Sequence, residues 1–212
     1  MTSDRASTER IQRVYASSDS AELTSEYNRW AEDYDADLTA LGYNAPRGGA
    51  ELLATLVADK GARVLDAGAG TGMVGEELAR AGFRRITALD MSPGMLAQAE
   101  QKAVYEELVV GELGKPLPFE TGTFGGVTCI GVLTIGHAPP ETLDELVRVT
   151  AAGGPVVFSM RTDYYSEGGF DAKQGALEAA GKWRLLERSP PFRAMPDGEP
   201  DIWHELWAYE VL

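Results

Sequence analysis

A glycine-rich turn between an apolar strand and a helix is the stretch of this chain best suited to hold a ligand. Residues 63–78 read RVLDAGAGTGMVGEEL, in which an apolar strand leads through alternating glycines into an apolar helical face. Glycine lets the backbone take positive φ and come close to a ligand. Such a turn at the carboxyl end of a parallel strand is where open α/β sheets bind nucleotides. The segment therefore predicts a nucleotide site.

The phase of the glycines bears on which nucleotide is bound. Residues 70–75 formally match G-x-G-x-x-G. In the dinucleotide fingerprint, however, the first glycine lies at the end of the strand, which here is Gly68, and the third position is then Met73. The carboxylate of Asp66 would repel a pyrophosphate, whereas it suits a ligand with an ammonium and a sulfonium. An oxidoreductase that uses a nicotinamide dinucleotide remains the alternative.

An acidic residue follows the second predicted strand. Asp90 lies eighteen residues after Gly72, at the end of the strand 85–90. A carboxylate at this point can accept hydrogen bonds from both ribose hydroxyls. Met91 comes next, where an apolar side chain either covers an adenine ring or packs in the core. These positions favour a nucleoside without choosing between the two classes.

The pattern Asp-x-Gly-x-Gly-x-Gly, the acid at Asp90 and the pair Glu112-Leu113 after a third strand resemble the class I S-adenosylmethionine-dependent methyltransferases. The resemblance implies that Glu112 accepts a hydrogen bond from the adenine amino group and that the next backbone amide meets the ring. It implies S-adenosylmethionine as cofactor and S-adenosylhomocysteine as product. The expected cofactor-binding residues are Tyr27, Trp30, Tyr34, Asp66, Ala67, Gly68, Gly70, Gly72, Asp90, Met91, Glu112, Leu113 and Gly131.

An aromatic stripe precedes this core. Residues 22–41 follow a helical pattern in which Tyr27, Trp30 and Tyr34 share one face, and the run 42–46 breaks it. The stripe is either a helix packed on the core or a lid that closes over cofactor or substrate. Residues 1–20 are polar, and we expect a frayed end or a short helix there. Together with residues 131–137, the stripe is similar to the methyltransferase-like branch named after the Williams-Beuren syndrome region 27 protein.

One histidine stands where a transferred methyl group and its acceptor would meet. His137 follows the fourth predicted strand, and the ordinary pKa of histidine makes it a fair general base. A base is needed only if the acceptor arrives protonated. The alternative is a loop histidine bonded to backbone, so His137 is a candidate catalytic residue.

Composition limits the class of protein. The chain has 212 residues, enough for one domain with a full core, and a net charge of −14, which argues against nucleic acid. It has no apolar run of membrane-span length, no signal-peptide pattern and one cysteine, so we expect a cytoplasmic protein. We also expect no metal site, and a monomer or a homodimer.

The order of predicted elements indicates an α/β fold. We expect a doubly wound, mostly parallel, seven-stranded Rossmann-like methyltransferase sheet with an antiparallel C-terminal hairpin and an N-terminal helical lid. The whole chain, 1–212, is then one class I methyltransferase domain, with 1–46 as the lid region and 47–212 as the cofactor-binding core. The fourth strand is followed by no Asn-Pro-Pro-Tyr run. This favours in-line methyl transfer to a small-molecule acceptor, and the alternative is a protein that binds S-adenosylmethionine without methylating.

Overall fold

A seven-stranded sheet with helices on both faces organises the molecule. The computed structural model describes residues 2–17 and 19–212. The strands lie in the order β3-β2-β1-β4-β5-β7-β6, and all neighbouring pairs are parallel except the two made by β7. The elements are α1 Thr2–Tyr15, α2 Ser20–Trp30, α3 Tyr34–Ala40, α4 Ala45–Leu56, β1 Arg63–Ala67, α5 Met73–Arg80, β2 Arg85–Asp90, α6 Pro93–Gln101, β3 Glu107–Val110, β4 Gly126–Leu133, α7 Thr142–Val149, β5 Pro155–Arg161, α8 Phe170–Ala179, β6 Trp183–Arg188 and β7 His204–Val211.

The two faces of the sheet bury separate apolar clusters. Consecutive strand residues point to opposite faces, so Val64 packs with α4 and α5 while Leu65 packs with α7 and α8. The central strands β4 and β5 are covered on both sides, which is why they read as nearly continuous apolar runs. This arrangement confirms the predicted α/β sheet, and it brings the carboxyl ends of β1, β2 and β4 to one edge.

The C-terminal hairpin is confirmed. β7 lies between β5 and β6 and pairs antiparallel with both, so that Arg161 at the end of β5 faces His204 at the start of β7. Buried aromatic rings stack across this part of the sheet, with the Trp183 and Tyr209 centroids 4.0 Å apart. The hairpin therefore closes the apolar face that α8 covers.

The N-terminal helices confirm one expectation and correct another. Of the two alternatives for residues 1–20, the structure shows the helix, α1, in which Ile11 and Val14 bury their side chains against α2 and α3. The predicted helix 22–41 is broken at residues 31–33 into α2 and α3. In one straight helix, residues seven apart are separated by about 10 Å along the axis. The break instead lets the Trp30 indole N–H donate to Asp37 at 2.7 Å.

Asp37 ties these helices together. Its carboxylate also accepts hydrogen bonds from the Ser7 hydroxyl at 2.8 Å and from the Arg10 guanidinium at 2.6 Å. Burial alone would raise the pKa of Asp37, but these three donors outweigh burial and hold that pKa below its ordinary value. The N-terminal layer is thus a packed unit held by charge-assisted hydrogen bonds.

Candidate functional site

A cavity of about 330 Å³ opens at the carboxyl ends of β1, β2 and β4. Its floor comes from the glycine turn after β1, from the end of β2 and from the segment after β3. Its roof comes from the N-terminal helices and from the loop after β4. Its volume is at the lower end of the range for small-molecule sites. The predicted residues that line it are Tyr27, Tyr34, Gly68, Gly70, Asp90, Met91, Glu112, Leu113, Gly131 and His137.

The glycine turn and Asp90 are joined directly. The Gly70 amide donates to Asp90 Oδ2 at 2.8 Å, and the Ser92 amide donates to Oδ1 at 2.9 Å. Gly70 has φ +54°, and a Cβ added there would meet no protein atom within 4 Å. That open space belongs to the cavity, so a side chain at Gly70 would occupy the room a ligand needs.

The Asp90 carboxylate keeps acceptor capacity for a ligand. Burial raises its pKa, and the backbone hydrogen bonds from Ser92 and Gly70 oppose that shift. An ionised carboxylate has about four lone-pair sites, and these two amides occupy one on each oxygen. The remaining sites suit a pair of hydroxyl donors such as those of a ribose.

The carboxylate of Asp66 lies beneath the turn rather than in the cavity. Its Oδ2 accepts a hydrogen bond from the Tyr105 hydroxyl at 2.7 Å, and its Oδ1 accepts one from Thr128 at 3.2 Å. Burial raises the pKa of Asp66 to about 6, against the effect of these two donors. The motif suggested that Asp66 faces the ammonium of a ligand, but its carboxylate does not line the cavity. It anchors the Tyr105 ring under the turn.

Three more predicted cofactor residues lie away from this cavity. Gly72 and Gly75 contact the Tyr105 ring, and a Cβ at either glycine would collide with that ring. Ala67 is fully buried in the core beside β4. Trp30 bonds to Asp37 and lines a smaller, inner cavity. Sequence reasoning missed Tyr105, although the glycines at 72 and 75, which leave room for its ring, were a signal for it.

The segment after β3 meets the start of α2. The Ser20 hydroxyl donates to Glu112 Oε1 at 2.7 Å, and both residues line the main cavity with Leu113. Asp19 caps this helix, since its carboxylate accepts the amides of Ala21 and Glu22 at 2.9 Å. The cap fixes the helix end over the position where the resemblance places an adenine.

Hydrogen bonds and one ion pair hold α2 and α3 over the turn. Asn28 Oδ1 accepts from the Ser92 hydroxyl and from the Gly94 amide, both at 2.8 Å. Asp35 accepts a hydrogen bond from Thr71 and pairs with Lys102 at 2.7 Å. Neither Asn28 nor Asp35 stood out in the sequence, because single polar residues on a helix ordinarily face solvent. Here they position the aromatic stripe above the cavity.

His137 and Tyr27 form a hydrogen-bonded pair at the boundary of the main and inner cavities. His137 Nδ1 lies 2.7 Å from the Ile135 carbonyl oxygen, which can only accept, so Nδ1 carries a proton. Burial lowers the pKa of His137, and the Ile135 contact opposes that shift only in part, so the ring is neutral at pH 7. Nε2 is then an acceptor, and the Tyr27 hydroxyl donates to it at 2.6 Å. We expected His137 Nε2 to face the acceptor, but the Tyr27 hydroxyl is bonded to it. A proton from the acceptor therefore reaches Nε2 through the Tyr27 oxygen.

Comparison with known proteins decides the family. A methyltransferase-domain model matches residues 65–158. The chain is 36% identical over 203 residues to Methyltransferase-like protein 27 of Homo sapiens, an alignment that covers 92% of this chain and 82% of the human protein. The chain belongs to the methyltransferase-like protein 27 family. It is an S-adenosylmethionine-dependent methyltransferase, as the resemblance of its motifs implied.

Two further likenesses agree with the family. The chain is 35% identical over 140 residues to a malonyl-[acyl-carrier protein] O-methyltransferase of Erwinia pyrifoliae, covering 63% of this chain and 48% of that protein. The fold matches a TehB-like S-adenosylmethionine-dependent methyltransferase of Corynebacterium glutamicum with a TM-score of 0.65 at 19% identity, covering 89% of this chain and 99% of the other.

The residues around the main cavity fit S-adenosylmethionine. The open space at Gly70 and the spare acceptor sites of Asp90 suit a nucleoside held close to the backbone. Among the side chains that the structure describes, those of residues 7–17 and 19–212, no three His, Cys, Asp or Glu residues cluster so as to hold a metal ion. In the same part of the chain, no helix has the length and apolar character needed to cross a membrane.

Proposed function

We propose that this protein transfers the methyl group of S-adenosylmethionine to a small-molecule acceptor by in-line displacement. The observation that carries the proposal is the joining of the glycine turn to Asp90 in a cavity that the N-terminal helices roof over. The cavity has a volume of about 330 Å³ under this roof, which is within the range of small-molecule sites and supports a small acceptor.

The predicted residues on the floor of the cavity have proposed roles. Asp90 accepts the ribose hydroxyls, and Gly68 and Gly70 let the cofactor approach the turn. Glu112 and the Leu113 amide meet the adenine, which Met91 covers. This assignment is supported by their shared position at the carboxyl edge of the sheet.

The bound cofactor supplies a methyl group on a sulfonium, which is already activated for displacement. The chain's contribution is to align the acceptor and to exclude water, which can account for a large part of the barrier. The side chains of Tyr27, Tyr34 and Tyr43 are all partly buried and roof the boundary between the two cavities. We propose that they hold the acceptor in line and keep water out.

Tyr27 and His137 together manage a proton when the acceptor arrives protonated. Burial raises the pKa of Tyr27, so its phenolate is not populated at pH 7. Its oxygen can still accept the acceptor's proton as its own O–H proton moves to His137 Nε2, because that hydrogen bond is already formed at 2.6 Å. The imidazolium so formed keeps its Nδ1–H bond to the Ile135 carbonyl. The pair acts as a general base whose contact atom is the Tyr27 oxygen.

Two relatives bear names that indicate small acceptor groups. They are the malonyl-[acyl-carrier protein] O-methyltransferase of Erwinia pyrifoliae and a demethylmenaquinone methyltransferase of Renibacterium salmoninarum, and this chain aligns with about half of each. The first name places its acceptor group on a carrier protein, so only the second name supports a small-molecule acceptor. The names leave open whether oxygen, nitrogen, carbon or sulfur accepts the methyl group.

Two measurements test the proposal. Calorimetry with S-adenosylhomocysteine and NAD should give saturable binding of the first and none of the second. Incubation with methyl-labelled S-adenosylmethionine and a metabolite extract, passed through a size filter before and after, should leave the label in small molecules. Label confined to protein or nucleic acid would overturn the small-molecule acceptor.

A further inference from the structure

A second cavity of about 60 Å³ lies behind the first, deeper under the N-terminal helices. It shares Tyr27, Tyr34, Tyr43 and His137 with the main cavity, so the two cavities are adjacent at the Tyr27–His137 pair. Most of its wall is apolar and aromatic, with Ile11, Val14 and Leu38 from the N-terminal helices and Leu133 from β4. The polar end of the wall is built by the neighbouring strands β4, β5 and β7.

Three buried polar side chains lie at that polar end. Arg161 and His204 are direct cross-strand partners on β5 and β7, and Thr134 follows β4 on the other side of β5. They are 6%, 9% and 8% exposed, and all three line the cavity. The Thr134 hydroxyl and the His204 Nδ1 are buried and have no hydrogen-bond partner. Buried polar atoms without partners cost free energy, so a ligand that satisfies them gains affinity.

Asp163 holds the Arg161 guanidinium by one edge. Arg161 Nε donates to Asp163 Oδ1 at 3.0 Å, and Nη2 donates to Oδ2 at 2.7 Å, while Asp163 itself is half exposed. Asp163 makes no hydrogen bond with the third guanidinium nitrogen, Nη1. The guanidinium also lies over the Tyr15 ring, with its carbon 5.6 Å from the ring centroid. Ring and fork together hold a buried cation at the cavity wall.

Three other titratable groups lie near that cation. Burial raises the pKa of Tyr15, so its hydroxyl is neutral where it interacts with Arg161. Burial lowers the pKa of His204 to about 4, and Arg161 lowers it further than Asp163 raises it, so His204 is a neutral ring at pH 7. Burial also raises the pKa of Glu199, the other acid near Arg161, which makes its charged form less favourable than usual. A neutral imidazole with a free Nδ1, a threonine hydroxyl and a guanidinium N–H can all donate to one oxygen-rich group.

We propose that the inner cavity is the acceptor's anchoring subsite and that it binds a carboxylate on the acceptor through Arg161, Thr134 and His204. This inference rests on the proposed function, because it places the acceptor behind the cofactor. Arginine is the side chain best matched to a carboxylate, since its planar N–H groups meet both oxygens. The acceptor is therefore a small acid whose reacting atom lies near the Tyr27–His137 pair.

The size of the cavity agrees with a compact anionic group. One water needs roughly 10–15 Å³ of such volume, so about 60 Å³ holds on the order of four to six waters. A carboxylate with one or two attached carbons fills that space. The rest of the acceptor then extends past Tyr27 and Tyr43 toward the main cavity.

The test uses acetate as probe, with acetamide as its uncharged counterpart. Each is titrated into the protein with and without saturating S-adenosylhomocysteine, and the ring signals of His204 are followed by NMR. At pH 7, where acetate is ionised, we expect it to shift these signals saturably. Acetamide should bind at least tenfold more weakly. Equal responses to the two probes would overturn recognition of the charge.

Three variants locate the response. Arg161→Met should weaken acetate binding at least tenfold, and Arg161→Lys should weaken it less, since it keeps the charge but loses the fork. Arg188→Met is the matched control, because Arg188 makes a similar fork with Glu205 outside both cavities and should behave as wild type. Acetate binding that survives in both Arg161 variants would overturn the proposal. If the protein fails to bind S-adenosylhomocysteine, that result counts against the proposed function instead. The acetate titration in the absence of S-adenosylhomocysteine still measures binding in the inner cavity.

Discussion

The main and inner cavities share four tyrosine and histidine side chains but are assembled in different ways. The floor of the main cavity comes from short consecutive runs, 68–71, 90–91 and 111–115, each of which follows a strand. The polar end of the inner cavity combines single residues from β5, β7 and the segment after β4. A site made of local runs keeps its shape wherever the fold is kept. A site made of scattered single residues can change its ligand with one substitution, so we expect the family to share the cofactor and to vary in the acceptor.

The largest effect should come from Gly70→Val, which fills the main cavity alone. A valine there occupies ligand space and also places a branched side chain at positive φ. We expect no measurable binding of S-adenosylhomocysteine by calorimetry, with the acetate response of His204 retained. Gly175→Val on α8 is the control, since a Cβ there also meets no atom within 4 Å and lies outside both cavities. Normal binding by the Gly70 variant would show that the turn does not hold the cofactor.

The boundary between the cavities is tested by Tyr27→Phe and His137→Ala. If the acceptor is protonated, each should lower turnover by about 10²- to 10⁴-fold and leave cofactor affinity nearly unchanged. Because burial lowers the pKa of His137, the wild-type rate should fall only on acidification below about pH 6.5, when Nε2 becomes protonated. Both variants should lose that acid limb.

Tyr164→Phe is the control for the boundary pair, because Tyr164 lines neither cavity. Single-turnover measurements with the true acceptor separate chemistry from binding. A full rate in Tyr27→Phe with a reduced rate in His137→Ala would mean that the imidazole contacts the acceptor directly. Full rates in both would mean that alignment alone suffices and that the acceptor arrives already nucleophilic.

A smaller effect is expected from Asp90→Ala on the main cavity. Loss of charge-assisted hydrogen bonds to the ribose should weaken S-adenosylmethionine binding by about 1–3 kcal/mol, or roughly 5- to 150-fold. Asp59→Ala is the control, because Asp59 also accepts a backbone amide at 2.8 Å but lies far from either cavity. Unchanged affinity by calorimetry in a folded Asp90 variant would remove Asp90 from the ribose role.

The smallest effect concerns the roof that both cavities share. The lid role of residues 22–43 stays a prediction, supported by the bonds of Asn28 and Asp35 to the core. Hydrogen exchange should slow in this segment when S-adenosylhomocysteine binds, while α8 should exchange at the same rate in both states. Equal exchange in the segment with and without ligand would leave only the packing interpretation.

Much of the core could be predicted from the sequence because its signals are local. Apolar runs, glycine turns and the Ser92 cap, whose hydroxyl accepts the Met95 amide at 3.1 Å, each act within a few residues. The break between α2 and α3 was missed because the hydrogen bond that it permits, from Trp30 to Asp37, depends on a packed layer of three helices. The placement of Asp66 was missed for a similar reason, since Tyr105 lies 39 residues away.

The sequence by itself determined the fold class, the cofactor and the positions of Gly70, Asp90 and Glu112, because strand–turn–helix patterns direct consecutive residues to one edge of a parallel sheet. Only the tertiary structure decided what surrounds the acceptor. It brings the Tyr27 hydroxyl to His137, which is 110 residues away along the chain, and it pairs Arg161 with His204 on two neighbouring antiparallel strands. These contacts depend on how helices and strands pack, and no local pattern in the chain encodes a distance between them.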